Sequence, residues 1–509
     1  MCDLLASLNA VALFSTATVV ILCVSYVQFQ HKINVIFSSI IHCYLLWRHP
    51  IRSLRDGHPI PTCPYRWPDG QGDVGKFLEG EKNSKRWGEM YGQAYRLWCG
   101  MNQEIVIQGA ADVETVFKDS DKHVKAANND AGWLMGELLG KCLGLISGRA
   151  YRDLRLATTP PFTHKSSRAY LPRISSLVKQ HLELLAADGP LRQNRINPVS
   201  DLASLPFSIV ADILYGASLT SGSRIELERL KELRESLWAR MIQGGATRYG
   251  ISRYLPTKTR RDLKEFKRGW ADFNDKAYRA CLLEGDEEAV IVRLYAEVQR
   301  SGLDMEQLLQ TVDEMLFANL DVTMGGISWS LLFLAAHQDI QSELGSEIMH
   351  ARREQELTWE DYIQSGSTLL AASILESARL KPLAAFSVPQ AAPTDRIVAG
   401  FRIPSGTAFV VDTHALNINN PYWGPDGRAY RPARFLERRP AEMRYQFWRF
   451  GFGPRQCLGK FLVEFMIREL LAQLVEGHRL SLMETTSWDK NPTSWILHPN
   501  TEISCERRD

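Results

Sequence analysis

From Leu4 to Gln30 the chain carries no charged residue, and the run from Val19 to Val24 is strongly apolar. About 20 predominantly apolar residues cross a bilayer core, so the stretch predicts a transmembrane helix even with Ser, Thr and Asn diluting it. A removable signal peptide would ask for a basic start and a small-residue cleavage site, whereas the chain begins Met-Cys-Asp. Basic residues follow the span at Lys32, Arg48, Arg52 and Arg55, which by the positive-inside rule leaves the bulk of the chain facing the cytosol. A second apolar stretch, Ile33 to Trp47, is short for a span and predicts an interfacial helix, with a second span or an ordinary buried helix as the alternatives. Pro50, Pro59, Pro61, Pro64 and Pro68 then punctuate an extended hinge. The expected organisation is an anchor over 1–32, an interfacial helix and hinge over 33–68, and one large domain over 69–509.

Beyond the hinge, helical periodicity dominates. Arg224 to Met241 and Glu265 to Glu284 each carry charges on one face and apolar residues on the other. Strand-like segments are few: Glu104 to Ile107, and Ile397 to Val411 interrupted by a turn at Pro404-Ser-Gly406. No internal repeat or low-complexity linker divides the remainder. A single mainly α domain with a small β region therefore fits better than the roughly three domains that length alone suggests. Thr311 to His337 is apolar almost all round, the pattern of a central buried helix. Asn319, Asp321 and Thr323 are set into it, followed by Gly325-Gly326. A carboxylate there must face a partner, water or a cavity, because burying it unpaired costs several kcal/mol.

Composition narrows the class. With 45% hydrophobic and 23% charged residues the chain is neither disordered nor fibrous. Lys+Arg 60 against Asp+Glu 58 gives no nucleic-acid signal. Nine scattered cysteines make no disulfide framework and no zinc spacing, and they read as reduced thiols in a cytosol-facing protein. One stands apart. In Phe450-Gly-Phe-Gly453-Pro-Arg455-Gln-Cys457-Leu-Gly459 the glycines permit a tight turn and close approach to a flat ligand. Cys457 precedes a helix start, whose dipole and free N–H groups favour a thiolate. Arg455 can pair with a ligand carboxylate. A lone thiolate cannot build a structural zinc site, but it can be the one axial protein ligand of a haem.

This loop resembles that of the cytochrome P-450 haem-thiolate enzymes, Phe-x-x-Gly-x-Arg-x-Cys-x-Gly, at all five fixed positions. The resemblance covers about residues 57 to 509 and extends to three further motifs in the family's order. Glu376-Ser-Ala-Arg379 matches its Glu-x-x-Arg helix and, with Arg434 in Pro432-Ala-Arg434-Phe435, implies a Glu–Arg–Arg structural network. Gly400 to Thr407 is similar to a strand segment of the family, and Tyr151-Arg-Asp-Leu-Arg155 stands where it has Trp-x-x-x-Arg. The resemblance implies haem b held by Cys457, with Arg455, Arg155, Tyr151, Phe450, Gly453 and Gly459 around it. It implies propionate contacts from Arg155 and from the Tyr151 hydroxyl. It also implies a microsomal member on the endoplasmic reticulum membrane, fed from NADPH by a flavoprotein reductase. The stretch Leu316 to Trp329 resembles oxygenases of fungal secondary metabolism, including those tailoring diketopiperazine toxins of the gliotoxin kind.

One motif departs. The family's oxygen-activating helix reads Ala/Gly-Gly-x-Asp/Glu-Thr-Thr/Ser, and here it is Ala318-Asn319-Leu320-Asp321-Val322-Thr323. Val322 replaces the threonine credited with guiding protons and cannot donate a hydrogen bond. Thr323 lies about 100° further round the helix. The implied reading is a monooxygenase acting on a small, fairly apolar secondary metabolite, with Asp321, Thr323 and Asn319 as the proton relay. Residues 132–147 and 383–387 are the expected pocket lining. A haem-thiolate isomerase or dehydratase, a ring-coupling oxidase and a haem sensor stay open as alternatives. Between Arg428 and Arg468 ten Lys and Arg stand against three Asp and Glu, which suits docking of an acidic reductase or a plain solvated face.

Overall fold

The computed structural model describes residues 30–508 except 318, 354–357 and 493, and not the side chains of 217, 319 and 320. The expected span over 4–30 and the Asn319 side chain lie outside the described residues.

The axis of the fold is the helix Met305–Ala336. Its length and hydropathy would cross a membrane, yet 80% of its most apolar window is buried inside the protein, where Leu316, Ile327, Leu331 and Leu334 are inaccessible. It begins six residues before the apolar pattern does, because Asp304 Oδ1 accepts the Glu306 N–H (3.1 Å) and caps a polar first turn. Around it pack Ser204–Tyr215, Leu369–Leu380 and Lys460–Gly477. The two amphipathic segments are the helices Ser221–Gln243 and Lys258–Leu283, capped by the hydroxyls of Thr220 and Thr257. Leu230 and Leu237 from one and Phe266 and Trp270 from the other are buried in the same core.

The β region is small, as expected. In the five-stranded sheet Ala94–Cys99 runs antiparallel to Asn102–Ile107, which pairs in parallel with Ala408–Val411 from Glu104↔Ala408 to Ile107↔Val411. The expected single interruption at 404–406 is a correction. A second turn at Ala399-Gly400, both with positive φ (47° and 81°), folds Arg396–Val398 onto Phe401–Ile403 as a two-residue hairpin before the chain enters the large sheet.

The helix over residues 30–48 docks Leu45 against Tyr65 and Trp98, while Val35, Ile36, Phe37, Ile40, Tyr44 and Trp47 are exposed, Trp47 to 77%. It is not an ordinary buried helix. Further round the molecule, the loop after Gln243 is tied down by charge. Buried Arg248 pairs with Asp69 (2.8 Å) and Asp73 (2.9 Å) and donates to the carbonyl of Asp130 (2.6 Å), so three distant segments meet on one guanidinium.

Candidate active site around Cys457

The cysteine loop is shaped by what it touches. Gly451 and Gly453 take positive φ (79° and 68°), and a Cβ on Gly453 would lie 2.2 Å from Ser120 Oγ, so glycine is required there. The Cys457 N–H donates to Phe450 O (3.0 Å), closing the loop on itself. Arg455 donates to the carbonyls of His123 (3.1 Å) and Ile146, and its guanidinium lies 4.0 Å from the Tyr151 ring centroid. The Tyr151 hydroxyl donates its proton to Pro454 O (3.1 Å). The hydroxyl thus helps to hold the loop. Burial pushes the Cys457 thiol up, and the Gly459 N–H and the cations Arg155 and Lys460 pull it down without prevailing. A coordinated metal ion deprotonates a thiol outright, so this direction does not bear against ligation.

Two cavities of about 230 and 380 Å³ flank Cys457 and share Lys125, Arg455, Cys457 and Val463 as lining. The smaller is bordered by Tyr151, Arg155, Glu314 and Gly459, the larger by Phe450, Val322 and Thr323. Leu383, Ala384, Phe386 and Ser387 line the larger one, as expected of 383–387. Of 132–147, Leu143 and Gly144 alone reach these two cavities. Lys125 and Arg155 form no ion pair within 4.0 Å among the described residues. Burial and the neighbouring Arg455 lower Lys125 to about 8. One soft sulfur ligand, three cations against the single buried carboxylate of Glu314, and largely apolar walls fit a haem, whose propionates would complete the neutralisation of Lys125, Arg155 and Arg455. Lys125 was missed in the sequence because nothing local distinguishes it from a surface lysine.

The Glu–Arg–Arg network is assembled in full. Glu376 accepts from Arg379 (2.7 and 2.8 Å) and from Arg434 (2.9 Å), all three side chains fully buried. Arg379 also donates to Asn417 O (3.0 Å). The Asn417 amide in turn bonds both the N–H and the carbonyl of Trp448 (2.8 and 2.9 Å), two residues before the loop. Asn417 is thus the link between triad and loop, and no sequence motif marks it. Replacing one member of such a cluster leaves its partners' charge buried and uncompensated. Glu376→Gln is expected to cost about 3 kcal/mol or more in denaturant unfolding, at almost unchanged volume.

The central helix divides the expected relay. Val322 and Thr323 face the Cys457 cavity. Asp321 lines a separate outer chamber of about 320 Å³ with Arg234, Trp238, Trp495 and His498. Its carboxylate accepts from Trp495 Nε1 (2.6 Å). Asp321 and Thr323 are therefore not brought together, since two residues along a helix turn a side chain about 200°. Trp495 belongs to both chambers and was missed, being 174 positions from Asp321.

A mainly helical domain with a cysteine loop closing a cation-lined cavity is the build of a haem-thiolate enzyme. A family model described as Cytochrome P450 matches residues 75–506, and the chain belongs to that family. Among its relatives are the cytochrome P450 monooxygenases aclC of Aspergillus oryzae (50% identical over 91% of this chain and 95% of the relative) and asaD of Aspergillus flavus (42%, over 97% and 96%). A third, gliC of Aspergillus fumigatus, is 36% identical over 92% of this chain and 93% of its own. The chain is a cytochrome P450 monooxygenase of fungal secondary metabolism. Family membership implies a haem with cysteine thiolate ligation.

Proposed function

We propose that the enzyme oxidises a small, fairly apolar secondary metabolite with dioxygen and two electrons drawn from NADPH through a flavoprotein reductase. The observation that carries this is the apolar, cation-edged cavity pair meeting at Cys457. When bound there, haem supplies the dioxygen and electron-transfer chemistry. The chain's own residues do the rest. Cys457 ligates from the loop that Phe450, Tyr151 and Asn417 hold in place. Arg455, Arg155 and Lys125 receive the propionates. The walls formed by 383–387 exclude water from the substrate side, Thr323 presents a hydroxyl to the cavity, and Asp321 takes protons from the outer chamber. An isomerase or dehydratase would turn over without consuming either reagent. The test is stoichiometry: one NADPH and one dioxygen consumed per product formed supports the monooxygenase, and product formed without them overturns it.

The same reading places the enzyme on the endoplasmic reticulum membrane with its catalytic domain facing the cytosol. Its support is the uncharged stretch 4–30 followed by the exposed apolar face of helix 30–48. For the reductase, the basic stretch 428–468 is only partly available. Arg434 is buried in the triad, and Arg449 and Arg468 both pair with Glu464. Arg439 is 85% exposed, paired with Glu442 three residues further on, and Arg438 and Arg444 rest on the rings of Tyr422 and Tyr445. Charge reversal at Arg438, Arg439 and Arg444 together is expected to raise the reductase KM about tenfold at low salt, with the difference shrinking as ionic strength rises. Reductase titrations at several salt concentrations check it.

A further inference from the structure

The outer chamber and the Cys457 cavity have one lining residue in common. Trp495 lines both. On the outer side its ring meets Trp238 edge to face (5.4 Å, 62°), and Phe77, which lines the Cys457 cavity, approaches it at 6.3 Å and 88°. The backbone is fixed two residues further on. Leu497 N–H donates to Leu383 O (2.8 Å), and Leu497 O accepts the indole N–H of Trp329 (2.7 Å). Gly325 lets this loop lie against the central helix, since a Cβ there would come within 2.7 Å of Leu383 and 3.0 Å of Ile496. The loop is thus anchored just after Trp495, and the one polar atom of the indole ring is held by Asp321 (2.6 Å). A hydrogen bond to a carboxylate is roughly twice as strong as one between neutral groups.

If haem occupies the space flanking Cys457, the outer chamber of about 320 Å³ is where a metabolite collects, and Trp495 stands on its way in. We propose that Trp495 is the door between the two chambers, latched shut by Asp321, and that it sets the size of molecule admitted to the thiolate side. The proposal rests on the haem reading given above. Asp321 then has a positioning duty distinct from proton transfer: it keeps the ring across the passage until a ligand bulky and flat enough to compete for the Trp238 face displaces it.

The test uses the haem-loaded full chain and two probes of different size, carbon monoxide and 1-phenylimidazole, with association rates followed by the Soret absorbance. Haem content and the carbon monoxide spectrum report on the haem reading, whereas the ratio of the two rates reports on the door. Trp495→Ala is expected to speed 1-phenylimidazole entry by about tenfold or more while changing carbon monoxide entry by less than about twofold. Trp495→Phe keeps the ring and removes the N–H, and Asp321→Ala removes its acceptor. Each is expected to speed 1-phenylimidazole entry about threefold, and the double variant no more than either alone, since both open the same latch. Equal acceleration of both probes, multiplicative effects of the two latch variants, or unchanged 1-phenylimidazole entry in Trp495→Phe would overturn the proposal.

Discussion

Cys457→Ala is expected to abolish the long-wavelength Soret band that reduced, carbon-monoxide-treated haem-thiolate protein displays, and with it all turnover. The loop explains why nothing else can take over. The other described cysteines are Cys43, Cys63, Cys99, Cys142, Cys281 and Cys505, each free, and none lines the two cavities at Cys457. Burial pushes Cys63 and Cys505 up to about 12, as expected of thiols used in packing. The substitution removes a small side chain from the cavity wall and leaves the Cys457 N–H bond to Phe450 O intact, so the fold is expected to persist. Absorbance of the dithionite-reduced, carbon-monoxide-saturated protein reads the result directly. A surviving thiolate-type band would refute ligation by Cys457.

Asp321→Asn is expected to lower turnover by about 10²–10⁴-fold, the usual loss when a general acid–base group is neutralised, while haem content stays near wild type. The geometry makes the experiment informative, because Asp321 and the cavity-facing Thr323 sit on different sides of the helix. If the acid gathers protons from the outer chamber and the hydroxyl hands them on, Thr323→Val slows turnover as well and raises peroxide released per NADPH. Val322→Thr adds a hydroxyl at nearly constant volume beside Thr323 and is expected to keep activity, with peroxide equal to or below wild type. Measuring peroxide yield across the three variants separates the roles. Tightly coupled, full-speed turnover in both Asp321→Asn and Thr323→Val would mean that this helix does not carry the protons.

What could be read from sequence follows from how local each device is. The loop from Phe450 to Gly459 is contiguous, and the pair Glu376–Arg379 lies one helical turn apart, so both are visible without a fold. Arg434 joins them from 58 positions away, and it was legible through the resemblance alone. Asn417, Lys125 and Trp495 were not legible. Each is an ordinary residue type in an unremarkable stretch, and its chemistry exists only because chain folding brings it against Trp448, Arg455 or Asp321. Tyr151 was legible through its place in the motif, but its bond to the Pro454 carbonyl, 303 positions away, was not. The helix pattern placed both long amphipathic helices but began each several residues late, since capped first turns are polar and carry no apolar periodicity.

The Arg248 cluster bears on how far this enzyme's parts are interchangeable with those of its relatives. Loop exchange is a common route to altered selectivity, and the segment following Gln243 leaves a helix whose last residues, Ile242 and Gln243, line the outer chamber, which makes it an obvious choice. Here the loop contributes the guanidinium, the segment 69–73 the two carboxylates, and Asp130 a carbonyl. A graft of the loop alone would strand Asp69 without a cation and leave Asp73 only the more distant Lys76 (3.7 Å). Gly132 adds a second restraint, because a Cβ there would come within 2.3 Å of Arg248 Cα. The three segments therefore constitute one heritable module, and a chimera has to carry all of them across together.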